Sequence, residues 1–486
     1  MNPPLASPSS STAPLSRFLD RRGFLRTAAF TGGAIHLVTS KTAIAQQTAA
    51  GRTIKCALIG CGAQGNALRI ASKDVPGVQW VAICDIWKFS WARMQSAMQS
   101  ENKHQVDGKV VVYENPEEML EKQPDIEAVF IAAPDFLHAP LSRLCLSKGK
   151  QVYCEKMMSN SIEGGRDMVR AGKEFGHVFQ IGHQRHSNPR YINFRENILK
   201  KNRLMGRVTH CYAQWNRGVS GSQPQGEVKG FPLEESVLAK YGYNNFFEFR
   251  NWRFFAKYGG GPLSDLGAHQ IDMFNWMFES KPVSVIASGG VDYYDGKDGR
   301  PKFELPDNMM CLYEYNTPDG VLRCYYQVLT TSGSQGAYEK YMGIQASGII
   351  SEDEKRGNQL YGEPGSDFAE FTTGDNPIIK APPPKNKFWE QDRDWEKPKP
   401  PSYTKIGLAD VRESKALTQY ELGAVNLRAA HSPHVQNFIE AVQMKKPEHL
   451  TCPVEMAFES CVTVLKAYEA AQTGNKYIFK PEDFAA

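Results

Sequence analysis

Asp265 and His269 stand four residues apart behind the run Gly259-Gly260-Gly261, where a helical pattern begins. At that spacing the two side chains share one helix face. A histidine with a pKa near neutrality can take a hydroxyl proton while hydride leaves the same carbon, so the pair suits alcohol oxidation. Taken alone, it also reads as a helix cap and a hydrogen-bonded core histidine. Lys156 follows Glu155 directly after the apolar run Gln151–Cys154. An exposed lysine beside a glutamate is ordinary, but the carboxyl end of a strand is where ligands bind in open α/β sheets. His183 and Arg185 alternate about Gln184, so a continuing strand would point both to one side, toward sugar hydroxyls, a carboxylate or a domain-crossing salt bridge. Tyr212, Trp215 and Arg217 can line a sugar site by stacking, or pack as strand residues of a core. His431 and His434 flank Pro433 without an identifiable third ligand, so they read as capping or packing residues and no metal site is expected.

The second constellation is Gly60-Cys61-Gly62-Ala63-Gln64-Gly65. In this Gly-x-Gly-x-x-Gly pattern the first glycine allows a tight turn. The second lets the backbone approach a pyrophosphate at a helix N-terminus, and the third lets helix pack on strand. A strand-like run precedes it, a helical pattern follows, and Asp85 ends the next strand about twenty residues on. That carboxylate can bind the adenosine ribose and repel a 2′-phosphate, which predicts NAD; Lys88 keeps NADP open.

The elements that must position these groups alternate. Expected strands over 54–59, 78–84, 110–113, 128–132, 151–154 and 178–181 are separated by helical patterns over 67–72, 90–98, 116–121, 140–147 and 162–175. This is the signature of a doubly wound parallel sheet, a Rossmann domain over 53–183. From 184 to 480 longer β-rich runs (207–215, 283–288, 309–315, 322–330) predict an α+β domain with a mainly antiparallel open sheet, and a helix at 269–278 packed on it. The Pro- and Lys-rich stretch 376–401 reads as an extended loop, and helices return at 433–442 and 453–471.

The amino-terminal stretch reads as an export signal. Asp20-Arg21-Arg22-Gly23-Phe24-Leu25-Arg26 precedes a modestly apolar run and the small-residue site Ala43-Ile44-Ala45. Within residues 1–45, Arg17, Arg21, Arg22, Arg26 and Lys41 against Asp20 account for the whole formal charge of +4. The remainder is neutral, which argues against nucleic acid or an anionic membrane as partner. No later run suits a membrane span. The 10 cysteines show no CxxC or zinc spacing and read as core residues rather than a disulfide framework.

Together these features resemble the glucose–fructose oxidoreductase, inositol dehydrogenase and rhizopine-catabolism (Gfo/Idh/MocA) family. Four matches carry the resemblance: the glycine fingerprint; Ala132-Ala133-Pro134 followed by His138; Cys154-Glu155-Lys156; and Gly259 through Asp265 and His269 to Asp272. It implies that His269 is the acid/base, that Lys156 favours alkoxide character in the reacting hydroxyl, and that Asp265 binds substrate. It also implies a cofactor wall of Gly60, Gly62, Ala63, Gln64, Gly65, Asp85, Ala133, Pro134, His138, Glu155 and Lys156. From their own chemistry, His183, Arg185, Tyr212 and Trp215 are expected toward substrate. Met157 replaces a proline whose bond is often cis in the family. Members commonly pair through their open sheets, so a homo-oligomer is expected. The functional expectation is a periplasmic, or otherwise extracytoplasmic, NAD-dependent oxidoreductase of a sugar, glycoside or polyol. It would be exported folded by the twin-arginine machinery, with its cofactor carried along and recycled in place. Alternatives are a redox-neutral NAD-dependent glycosidase or lyase, and a non-catalytic nucleotide-bound sugar carrier.

Overall fold

The computed structural model describes residues 51–486 apart from 222, 354–355, 374–377, 382–416, 424–425 and 427. The export signal and most of the Pro- and Lys-rich stretch therefore lie outside the described residues.

Strands β1 (Ile54–Ile59), β2 (Val78–Cys84), β3 (Val111–Tyr113), β4 (Ala128–Ile131), β5 (Gln151–Cys154) and β6 (Phe179–Ile181) form a six-stranded sheet in the order β3-β2-β1-β4-β5-β6. All its pairings are parallel. Between the strands run α1 (Ala63–Ser72), α2 (Lys88–Glu101), α3 (Pro116–Lys122), α4 (His138–Ser147) and α5 (Ile162–Phe175). β4 is buried at every position, as a sheet covered on both faces requires. The strand order reverses between β1 and β4, and the gap beyond their carboxyl ends is where such a sheet binds ligands.

α6 (Pro189–Asn193) runs on as π-helix through Phe194–Lys201 and leads to β7 (Val208–Asn216). The short helices α7 (Glu235–Lys240) and α8 (Phe246–Arg250) follow, then a π-helical segment, Leu263–Gly267, that opens α9 (Ala268–Phe278). Next come β8 (Pro282–Gly290), β9 (Asn308–Thr317), β10 (Gly320–Leu329), β11 (Ala337–Gly343), β12 (Ala346–Ile350), β13 (Gln359–Gly362), β14 (Ile378–Lys380) and β15 (Thr418–Leu422). Helices α10 (Ser432–Met444) and α11 (Val454–Thr473) and strand β16 (Tyr477–Ile478) complete the chain. The second sheet has ten strands, β14-β15-β13-β12-β11-β7-β10-β9-β8-β16, all antiparallel to their neighbours except the pair β7 and β10. The fold is thus a Rossmann-like parallel sheet followed by a mostly antiparallel one. The strands β11 to β15 extend that second sheet beyond what the sequence pattern marked.

One face of the large sheet, with Cys211, Tyr315, Cys324 and Tyr326, belongs to a core continuous with α9, α11 and the near face of the first sheet. The other face is open, exposing Ile286, Met310, Leu312 and Val321 beside the ion pair of Arg323 and Glu314. All ten cysteines are buried and unpaired.

The chain returns to its beginning. Helix α10 lies on the far face of the first sheet, where Phe438 stacks edge-on to Phe130 at 5.3 Å and lies 5.7 Å from Tyr153. Truncating a fully buried aromatic costs about 3–5 kcal/mol. Phe438→Ala should therefore lower the urea midpoint of unfolding without changing the denaturant slope.

Candidate active site

The fingerprint turns out of β1 into α1 at the strand-order reversal. Gly60 has φ +94°, and a Cβ there would meet the Ala132 carbonyl oxygen at 2.5 Å. A Cβ on Gly65 would strike the Gly60 carbonyl, whereas one on Gly62 would meet nothing within 4 Å. The first and third glycines thus serve packing and the second faces open space. Gly62 caps α1 without a side-chain bond, leaving backbone N–H groups aimed at that space. Beyond it lies a cleft of ≈ 270 Å³ bordered by Gly60, Gly62, Asp85, Pro134, Glu155 and Lys156. Asp85 accepts hydrogen bonds from Cys61 N (2.7 Å) and Trp87 N (2.8 Å). Burial lifts its carboxyl to about 6 against those two bonds.

Glu155 is buried, and neither carboxylate oxygen has a hydrogen-bond partner among the described residues. Burial pushes its pKa up, opposed by His431 and Gln64. An unsatisfied buried acceptor in the wall of the cleft suits a hydroxyl donor such as those of a ribose. The cleft therefore suits a dinucleotide at three points: the open space at Gly62, the N-terminus of α1, and Glu155.

A roof closes over this cleft. Trp87 meets Phe246 at 5.7 Å and Phe249 at 5.9 Å, and its Nε1 donates to the Phe231 carbonyl at 2.9 Å. The Tyr241 hydroxyl donates to the Glu114 carbonyl at 2.7 Å.

The reactive corner lies where the cleft meets a second cavity of ≈ 520 Å³; Lys156, Asp265, Gln64 and Arg253 border both. Lys156 leaves the end of β5, and the Lys156–Met157 peptide bond is cis. Its Nζ donates to the main-chain carbonyl of Asp265 and lies 3.7 Å from that residue's Oδ1. Arg253 Nε donates to the same Oδ1 at 3.0 Å. Burial would raise the Asp265 carboxyl, but Arg253, Lys156 and Arg217 outweigh it and hold the group well below the usual carboxylate range. The π-helical widening at Leu263–Gly267 places this carbonyl at the helix start, a device common at functional sites.

His269, in the first turn of α9, lies 5.5 Å from the Trp215 ring, centroid to centroid, and its Nδ1 has no partner among the described residues. Burial, reinforced by Lys156 and Arg185, depresses its pKa well below the ordinary histidine value. The imidazole is therefore neutral and able to accept a proton.

Four expectations need correction. His138 does not reach the cleft: it is buried with both ring nitrogens 2.7 Å from carbonyls, those of Met157 and Ala133, so it holds two cleft-forming loops from behind. His183 and Arg185 do not alternate along a strand, because β6 ends at Ile181 and residues 184–187 turn as a 3₁₀ helix. His183 is buried with Nδ1 3.4 Å from Asp272, and burial lowers its pKa to about 4. The Arg185 guanidinium is taken up by Glu339 and, at 2.9 Å, Glu352. Tyr212 lies on the opposite face of β7 from Trp215, stacked on Tyr325 at 5.5 Å, because an odd separation along a strand reverses the side. Trp215 does line the second cavity.

Two residues join the site beyond those assigned to it from sequence: His431, read there as a capping or packing residue, and Asp135. His431 stands at the start of α10 without making a cap bond; its Nε2 is 3.0 Å from Gln64 Nε2, at the wall of the second cavity. His434, one turn on, is the packing residue expected, 2.9 Å from the Ile181 carbonyl. Asp135, next to Pro134, is buried in the cleft wall, and burial raises its carboxyl to about 7. Its adjacency to Pro134 was the available signal. His431 had none, since it arrives from the far end of the chain.

Residues 54–183 match the oxidoreductase family with an NAD-binding Rossmann fold, and residues 235–339 match the GFO/IDH/MocA C-terminal domain. The pair defines a two-domain, NAD-binding oxidoreductase architecture. Both matches, over 54–183 and 235–339, are to the Gfo/Idh/MocA family. It is similar to inositol 2-dehydrogenase of Rubrobacter xylanophilus, 39% identical over 74 residues, which are 15% of this chain and 21% of that one. It is also similar to 1,5-anhydro-D-fructose reductase of Ensifer adhaerens, 23% identical over 46% of this chain and 56% of the relative. The chain thus spans about half or less of the curated relatives it matches. Among solved structures, levoglucosan dehydrogenase in complex with NADH and levoglucosan superposes with a TM-score of 0.61 at 14% identity, over 88% of this chain and 100% of that one. Aldose-aldose oxidoreductase from Caulobacter crescentus gives 0.59 at 14% identity and the same coverage. These likenesses establish the fold.

A pH titration by difference infrared spectroscopy should show a protonated carboxyl losing its proton as pH rises through about 7. Asp135→Asn should remove that component, while those of Asp85 and Glu155 persist.

Proposed function

We propose that this protein is an NAD-dependent oxidoreductase acting on a hydroxyl of a sugar, glycoside or polyol. The convergence of Lys156 and Asp265 at the shared wall of the two cavities, with His269 on the wall of the second, carries this reading. Bound NAD supplies the hydride acceptor. His269, neutral because it is buried among cations, takes the hydroxyl proton. The Lys156 ammonium stabilises negative charge as it develops on the oxygen. Asp265 fixes Lys156 and Arg253, and its carboxylate orients the substrate hydroxyl. The relatives named for inositol and anhydrofructose support a polyol or sugar substrate.

The twin-arginine pattern at Arg21-Arg22 supports export to the periplasm or another extracytoplasmic space. Away from a free nucleotide pool the cofactor must be retained and recycled. The aromatic roof on Trp87 supports retention. The open face at Ile286, Met310 and Leu312 supports a homo-oligomer paired through the second sheet.

One observation favours a redox-neutral glycosidase or lyase as second reading. Oxidation beside a C–H bond acidifies it, and elimination then needs a second base. His183 is enclosed, whereas His431 stands in the cavity wall.

Near-ultraviolet absorbance of the bound nicotinamide, followed against a panel of sugars and glycosides with aglycone assayed in parallel, tests both readings. Lasting reduction, reversed only by a second carbonyl compound, is expected. Aglycone release without net reduction would transfer the assignment to the lyase. His269→Gln should lower kcat/KM by about 10²–10⁴-fold. Because a depressed pKa keeps this base unprotonated on the acid side, the wild-type acid limb of kcat/KM should fall below pH 6.5. A limb above that value would count against His269 as the base.

A further inference from the structure

The second cavity is unevenly charged. Lys156, Arg217, Arg250 and Arg253 border it, against only Asp265 and Glu352. Both acids are already engaged. Asp265 holds Arg253 at 3.0 Å and Lys156 at 3.7 Å. Glu352 holds Arg185 at 2.9 Å and accepts from Gln184 at 3.2 Å. Arg217 and Arg250 are left with no carboxylate in ion-pair range among the described residues.

These two differ in what they face. Arg250 lies over the Trp87 ring at 4.5 Å, gives Nε to the Gly226 carbonyl at 3.3 Å, and borders the nucleotide cleft as well. A dinucleotide's phosphates can account for it. Arg217 borders the second cavity alone, half-buried, with its guanidinium carbon 5.4 Å from the centre of the Trp215 ring. Stacking on an indole fixes the guanidinium while leaving its N–H edge free, a geometry suited to two-point binding of an oxyanion. Trp215 is also the ring beside His269, so one aromatic ring contacts both the base and a cation without a carboxylate partner. Arg217 borders the same cavity as Asp265 and His269, and its charge helps depress the Asp265 carboxyl.

We propose that the substrate is an acidic sugar, carrying a carboxylate, sulfate or phosphate group that Arg217 receives while a ring hydroxyl meets Lys156 and His269. This rests on the oxidoreductase reading above and names the substrate class for the same cavity. A neutral sugar would leave the guanidinium without a charged partner, whereas a charge-assisted, two-bond contact would favour the acidic one.

The test is direct binding to the full, cofactor-loaded protein, by calorimetry and tryptophan fluorescence, of four methyl hexosides: neutral, 6-carboxylate, 6-sulfate and 6-phosphate. At least one acidic glycoside should bind ten times more tightly than the neutral one or better, and the strongest identifies the group. Half-molar salt should narrow the gap. Arg217→Gln should cut the ratio to threefold or less, and Arg217→Lys should restore part of it. Neutral binding as tight as every acidic form would overturn the proposal, as would an acid preference that survives in Arg217→Gln. If that variant does not fold, the wild-type ratio and its salt dependence, together with Arg217→Lys, decide. Nicotinamide reduction scored on the same panel keeps the two readings apart. Acid-selective binding without reduction by any sugar would sink the oxidoreductase assignment alone, and unselective oxidation of neutral sugars would sink only the acidic-substrate assignment.

Discussion

The contact from Lys156 Nζ to the main-chain carbonyl of Asp265 joins the end of a parallel strand to the start of a helix in the second half of the chain. Almost everything at the site depends on it. The ammonium at the mouth of the nucleotide cleft is aimed by a backbone group, so it keeps its position while the Asp265 carboxylate divides itself between Lys156 and Arg253. The carbonyl is presented by a π-helical turn, and the same turn sets His269 one helical step further along the wall. A shift of that segment would move the base, the carboxylate and the ammonium together.

The electrostatics around this contact follow from burial. Asp265 stays ionised because cations surround it, whereas Asp135 and Glu155, nearby but poorly compensated, are pushed the other way. His269 is kept neutral chiefly by burial, reinforced by Lys156, which also helps keep Asp265 charged. Burial and one shared ammonium therefore prepare an acceptor of protons beside a fixed anion, with no need for the histidine to carry a partner of its own.

Much of this was legible in the sequence because it is local. Gly60, Gly62 and Gly65 announce a strand-turn-helix, and the bounds of β1, β2 and β5 follow from short apolar runs between turn residues. Asp265 and His269 declare themselves by helical spacing. What failed depended on chain direction or on distant partners. Arg185 is withheld from substrate because the strand ends early and because Glu339, far along the chain, takes up its charge. Tyr212 and Trp215 separate because a strand alternates. The roof over the nucleotide cleft comes from a segment of short helices, α7 and α8, whose aromatic residues have no regular period. Strands β11 to β15 are short, and their pairing is decided by neighbours that local pattern does not reveal.

The return of α10 to the first sheet makes completion of the nucleotide site a late event in synthesis. A ribosome would have made every strand of the parallel sheet long before Phe438 exists to cover its far face, and His431 reaches Gln64 only when that helix docks. Until then the half-built domain presents an uncovered hydrophobic surface, a natural substrate for a chaperone.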